Sequence, residues 1–198
     1  MVGHDDGRFP HWSALKMTES AVGLTGASIF AEPPSCEAIR RPSDLFGEIE
    51  AFLCLEADLM DQHAYDDWLS LWHPLGLYWV PSNSEDLDSE RCVSIIFERY
   101  EGLEDRIFRL KDKRMHSQSP KSKLVRIVSN FSAVAAGVSD ILVRSNFVLG
   151  EVRGGQQQTL FGRATHRLIR SAGGLKIAGK KVYLIGNDAP MRNVTFLL

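Results

Sequence analysis

Cysteine is scarce and poorly spaced for chemistry. The three thiols, Cys36, Cys54 and Cys92, are far apart and odd in number, with no Cys-x-x-Cys pair. That excludes a disulfide framework and a cysteine-ligated zinc, and it points to reduced thiols in a cytoplasm. Charge of one sign is lacking too. There are 23 Lys and Arg against 25 Asp and Glu, a formal net charge of −2, so nothing electrostatic favours nucleic acid or an anionic membrane surface. No apolar run approaches the roughly 20 residues of a membrane span. Met1–Lys16 holds His, Asp and Arg but no apolar centre, unlike a secretory signal. The Gly-x-Ser-x-Gly elbow, the P-loop and the Gly-x-Gly-x-x-Gly turn are absent, and the six histidines (His4, His11, His63, His73, His116, His166) form no His-x₃₋₄-His pair.

What is present begins at Ser43. Pro42-Ser43-Asp44 is a helix start, because Ser or Asp accepts from the free N–H groups of a first turn. Leu45, Ile49, Phe52, Leu53, Ala57 and Met60 then recur at helical spacing, with Glu48, Glu50, Glu56, Asp58 and Asp61 mostly off that stripe. Tyr65–Trp72 resumes the pattern as a short second helix, which His73-Pro74 stops. Gly76–Val80 reads as a strand. Residues 1–43 lack periodicity and read as a mostly irregular extension. Met17-Thr18-Glu19-Ser20 resembles a protein start, so residues 1–16 are expected to be an artefact of start-codon choice.

Ser82–Glu90 reads as an acidic loop, Cys92–Phe97 as a strand, Glu101–Lys113 as an amphipathic helix, and Met115–Lys121 as a loop. Four strands are expected after it, over Lys123–Ala136, Asp140–Gly150, Thr159–Arg170 and Leu175–Ile185. Gly137–Ser139, Gly154-Gly155 and Gly173-Gly174 are natural hairpin connections between them. Helices first and strands after, without βαβ alternation, make an α+β domain over residues 44–198 with a largely antiparallel meander.

In this order the elements resemble the cystatin-like cone, also called nuclear transport factor 2-like or SnoaL-like. Within it the chain resembles the β (small) subunits of aromatic-ring-hydroxylating, Rieske-type dioxygenases. The matching stretches are Glu56–Asp61, Trp68–Leu71, Tyr78–Pro81, Leu103–Leu110, Gln118–Ser122, Val128–Asn130, Val143–Phe147, Phe161–Arg163, Gly173–Ala178 and Arg192–Leu197. Departures fall at Lys123–Ile127, at Ala164 and at Leu184–Asn187, and these bear on contacts with partner chains.

The resemblance implies a structural subunit with no catalytic, cofactor-binding or metal-binding residues of its own. It would trimerise and support an α (large) subunit in an α3β3 assembly. That α subunit would carry a Rieske [2Fe–2S] cluster and mononuclear Fe(II), fed by NAD(P)H-derived electrons. This chain lacks the Cys-x-His and Cys-x-x-His pairs of such a cluster. Trp79, Arg126, Arg144, Arg163 and Arg167 are the candidate interface residues, since aromatics and arginines recur where chains meet. The rival reading is a free-standing isomerase or dehydratase of the same fold. Its acid–base groups would be Asp58, Asp61, His63 and Tyr65, near the end of the first helix; the plainer reading leaves them on a solvated face.

Overall fold

The structure, a computed structural model, describes residues 29–82, 93–112, 120–137, 139–187 and 194–198. The alternative start at Met17, most of the acidic loop after Ser82, Cys92, and Met115–Ser119 lie outside them. Strand β1 (Glu37–Ile39) leads into helix α1 (Asp44–Asp61), helix α2 (Tyr65–Ser70), strands β2 (Trp72–Pro81) and β3 (Ser94–Arg99), and helix α3 (Tyr100–Lys111). Four long strands follow: β4 (Lys123–Ala135), β5 (Asp140–Arg153), β6 (Gln156–Ser171) and β7 (Gly174–Leu184). They form one seven-stranded sheet in the order β1-β4-β5-β6-β7-β2-β3.

Local chemistry accounts for the elements. The Ser43 hydroxyl accepts from the Phe46 N–H at 3.2 Å, capping α1. Gly154 and Gly155, with φ of 56° and 76°, make the two-residue turn that sets the long β5–β6 hairpin in register. The expected antiparallel meander is β4-β5-β6-β7.

Two expectations need correction. The second helix stops at Ser70, and β2 already starts at Trp72, running through Pro74. Trp72 pairs with Ile177 and Leu77 with Gly179, so His73–Gly76 bulges out of the pairing and its proline needs no ladder N–H. β2 also lies parallel to β7, which makes the sheet mixed. The chain before Ser43 contributes more than irregular coil. Glu37–Ile39 pairs with Ala133–Ala135 on β4, and Ile29 and Phe30 pack against Leu77 and Trp79 in a small cluster of their own.

The main core lies between the helices and the sheet's inner face. Phe46, Ile49, Leu53 and Met60 of α1 and Leu103 and Ile107 of α3 meet Val143, Phe147, Leu149, Leu168, Ile177 and Val182. Trp68, Trp72 and Tyr78 meet edge-on, with centroids 5.2–6.1 Å apart. The Tyr78 hydroxyl donates to the Leu198 carbonyl at 2.8 Å and accepts the Leu198 N–H at 3.0 Å. This pins the buried segment Phe196–Leu198 into the core.

Candidate functional site

A charged cluster sits where α1 crosses β6 and β7. Glu56 is 2 % exposed, on the inward line of Leu53 and Met60. The sequence reading placed it off the apolar stripe; its carboxylate is inside because three donors surround it. His166 Nε2 lies 3.0 Å from one oxygen; Lys180 Nζ at 2.7 Å and Trp68 Nε1 at 3.2 Å donate to the other. His166 and Lys180 are register partners on β6 and β7, so neighbouring strands present both to one helix turn. Burial pushes the Glu56 carboxyl up. The Lys180 and His166 charges outweigh burial and hold the carboxyl well below the ordinary 4.5.

Beside the cluster is a cavity of about 20 Å³, lined by Glu56, Arg126, Ser145, His166 and Lys180 among apolar residues such as Met60, Phe147 and Val182. None of Asp58, Asp61, His63 and Tyr65 lines it. Asp58 is exposed. Asp61 accepts from the Arg126 backbone N–H at 2.6 Å and pairs with its guanidinium, tying the end of α1 to β4. His63 Nε2 donates to the Ser122 carbonyl at 2.8 Å, so its Nδ1 accepts from the Tyr65 hydroxyl at 2.7 Å. Burial draws the His63 pKa down, and it pushes Tyr65 up to about 12. Asp61, His63 and Tyr65 thus latch the turn after α1 onto the start of β4. A cavity this size admits about one water, far too little for a ring substrate.

The candidate interface residues divide. Arg126 turns inward, its guanidinium nearly sealed, bonding Asp61 and the Leu197 carbonyl. Trp79 is also buried, under Ile29 and Phe30, with Lys181 Nζ 4.5 Å from its ring centroid. Neither offers a partner any surface, because the chain's own segments already cover them. Arg144 is exposed and pairs with Glu32 at 2.6 Å, Arg163 is exposed, and Arg167 pairs with Asp140 at 2.7 Å. The reading from sequence missed the uncharged part of the outer face. Ile127, Val148 and Phe161 are register partners across β4, β5 and β6, and the Ile185 N–H donates to the Phe161 carbonyl at 2.9 Å. All are exposed, at 66, 36, 52 and 58 %. Alternation along β4 and β5 was the signal that could have found them.

Residues 55–189 match the family described as the ring hydroxylating β subunit. The chain belongs to this family. The small subunit of 2-halobenzoate 1,2-dioxygenase from Burkholderia cepacia is 31 % identical over 143 residues, 69 % of this chain and 86 % of that one. The solved β subunit of benzoate 1,2-dioxygenase from Burkholderia mallei superposes with a TM-score of 0.65 at 26 % identity. It covers 80 % of this chain and 100 % of that one. A nuclear transport factor 2-like protein with a cystatin-like fold from Novosphingobium aromaticivorans shares the architecture at a TM-score of 0.53 and 12 % identity, over 73 and 84 % of the two chains. The cone fold expected from the sequence is therefore the one observed. Among the described residues of this β subunit, no three His, Cys, Asp or Glu side chains are grouped to hold a metal ion. No helix among them is long and apolar enough to cross a membrane.

Proposed function

We propose that this β subunit is the structural, non-catalytic component of a cytoplasmic aromatic-ring-hydroxylating dioxygenase. It trimerises and supports a larger α subunit in an α3β3 complex. The α subunit carries the Rieske [2Fe–2S] cluster and mononuclear Fe(II) and receives electrons from NAD(P)H. The observation that carries this reading is an outer face left apolar, opposite a cavity beside Glu56 that has no room for an aromatic ring. The cavity holds about 20 Å³, while Ile127, Val148, Phe161 and Ile185 form an uncovered row on the opposite side of the sheet. An uncharged row of this kind suits a permanent contact between copies, which are more apolar than transient interfaces. Arg144, Arg163 and Arg167 are charged groups for its rim.

The test is a pull-down of the tagged chain from its host grown on aromatic carbon, with a visible spectrum and iron analysis of the eluate. Capture of a larger iron–sulfur polypeptide in about equal amount supports the reading. Elution alone, colourless and iron-free, overturns it and returns the isomerase or dehydratase reading.

A further inference from the structure

Glu56, His166 and Lys180 bind one another, yet three residues that line the cavity beside them carry buried polar atoms with no partner. Ser145 Oγ, His166 Nδ1 and Arg126 Nε are buried without a hydrogen-bond partner, and all three residues line the cavity. Buried polar atoms nearly always find a partner, and stranding one is costly. Three around one small void make a site for a hydrogen-bonding occupant.

The strand register explains the arrangement. Ser145 stands opposite Ala164 on β6, and His166 is two residues further along the same face. Diagonal neighbours of this kind lie about 7–8 Å apart. No bond joins the two side chains, and one bridging molecule can serve both with bonds of about 2.8 Å. Ala164, small and buried between them, leaves the room. Size then selects the occupant. Water needs roughly 10–15 Å³ on this measure and two to four polar partners; the cavity offers about 20 Å³ and three.

We propose that the cavity is an internal hydration site holding one ordered water, which bridges Ser145 Oγ and His166 Nδ1 and accepts from Arg126 Nε. His166 Nε2 faces the Glu56 carboxylate, which only accepts, so that nitrogen carries the hydrogen. Nδ1 is left without a protein partner, and the water pairs with it. A remaining hydrogen or lone pair of the water serves the Ser145 hydroxyl. The water thereby fixes the imidazole that helps hold Glu56, and it links β4, β5 and β6 beneath α1. The site does not depend on the subunit reading.

Two valine-sized replacements test it. Ser145→Thr adds a methyl group and keeps the hydroxyl; Ser145→Val adds the same bulk without it. With water in place, S145V takes away one of the water's three partners and melts several degrees below S145T. Both variants share any steric strain, so equal melting temperatures, or a higher one for S145V, overturn the proposal. A high-resolution crystal structure of the wild-type chain gives a second, independent reading. One water within 3.2 Å of both Ser145 Oγ and His166 Nδ1 is expected. An empty void, a direct Ser145–His166 bond or a halide identified by anomalous scattering overturns it.

Discussion

Glu56 shows how much a single buried carboxylate depends on its partners. It accepts from Lys180, Trp68 and His166 and is closed off from water. Glu56→Gln keeps the shape but leaves the Lys180 ammonium buried without a counter-charge. Breaking a buried pair in this way costs about 3–5 kcal/mol, and urea unfolding at neutral pH should show that loss. Replacing both partners, as in E56Q/K180M, should recover much of it, since apolar isosteres often match a buried pair. The pH dependence follows from the lowered carboxyl pKa. The unfolded chain takes up this proton near 4.5, the ordinary value, and the folded chain only at much lower pH. Between those limits the unfolded state binds more protons, so stability is fully present above that value and lost as pH falls. E56Q should therefore flatten the acid limb of stability against pH, by up to about 1.4 kcal/mol per pH unit. An unchanged limb would show that Glu56 is not ionised inside. Glu56 was half legible in the sequence. It continues the spacing of Ile49, Leu53 and Met60, which points it inward, but its charge argued for solvent. Only the pairing of β6 with β7, which brings His166 beside Lys180, resolves the conflict, and that pairing is not written in local sequence.

Elements were most legible where a single local signal governs them. The Ser43 cap, the helical stripe of α1 and the glycine turns between β5, β6 and β7 act within a few residues, and the structure follows them. The start of β2 was less legible. Trp68, Leu69 and Trp72 fit helical spacing, but the β7 edge offers Trp72 ladder bonds that a helix end cannot supply. Close packing between strands was not legible at all. Gly162 reads as one more small residue in an alternating strand. A Cβ there would run into the Phe147 ring and sit 2.8 Å from the Tyr183 carbonyl oxygen. The ring could yield only by leaving the core, and the backbone oxygen belongs to the neighbouring strand. Gly162→Ala should therefore destabilise by about 1–3 kcal/mol through overpacking, read as a lower melting temperature. Gly173→Ala, with open space around it, is the control that should melt close to wild type.

At the scale of the whole molecule, the described residues finish one face of the sheet and leave the other partly apolar and exposed. The inner face is closed by α1, α2 and α3 over a continuous core. On the outer face, the segment from Ile29 to Ile39 covers Trp79, reaches Arg144 through Glu32, and ends paired with β4. Beyond it, Ile127, Val148 and Phe161 on β4, β5 and β6 and Ile185 just past β7 stand in a row, with Val125 and Val152 nearby, also exposed. Strands about 4.8 Å apart make that row roughly 14 Å long, and an exposed apolar strip on an otherwise complete fold marks a contact surface. Ile127→Asp with Phe161→Asp tests it. Both side chains point away from the core, so the single chain should keep its fold, with a melting temperature within a few degrees of wild type. In a trimer the same carboxylates would be buried without partners, a cost of several kcal/mol at each contact. If the proposed trimer forms through this face, light scattering should find the wild-type chain trimeric and the variant monomeric. A variant that still trimerises, but no longer captures the larger subunit, would reassign this face from the copy–copy contact to the contact with the α subunit.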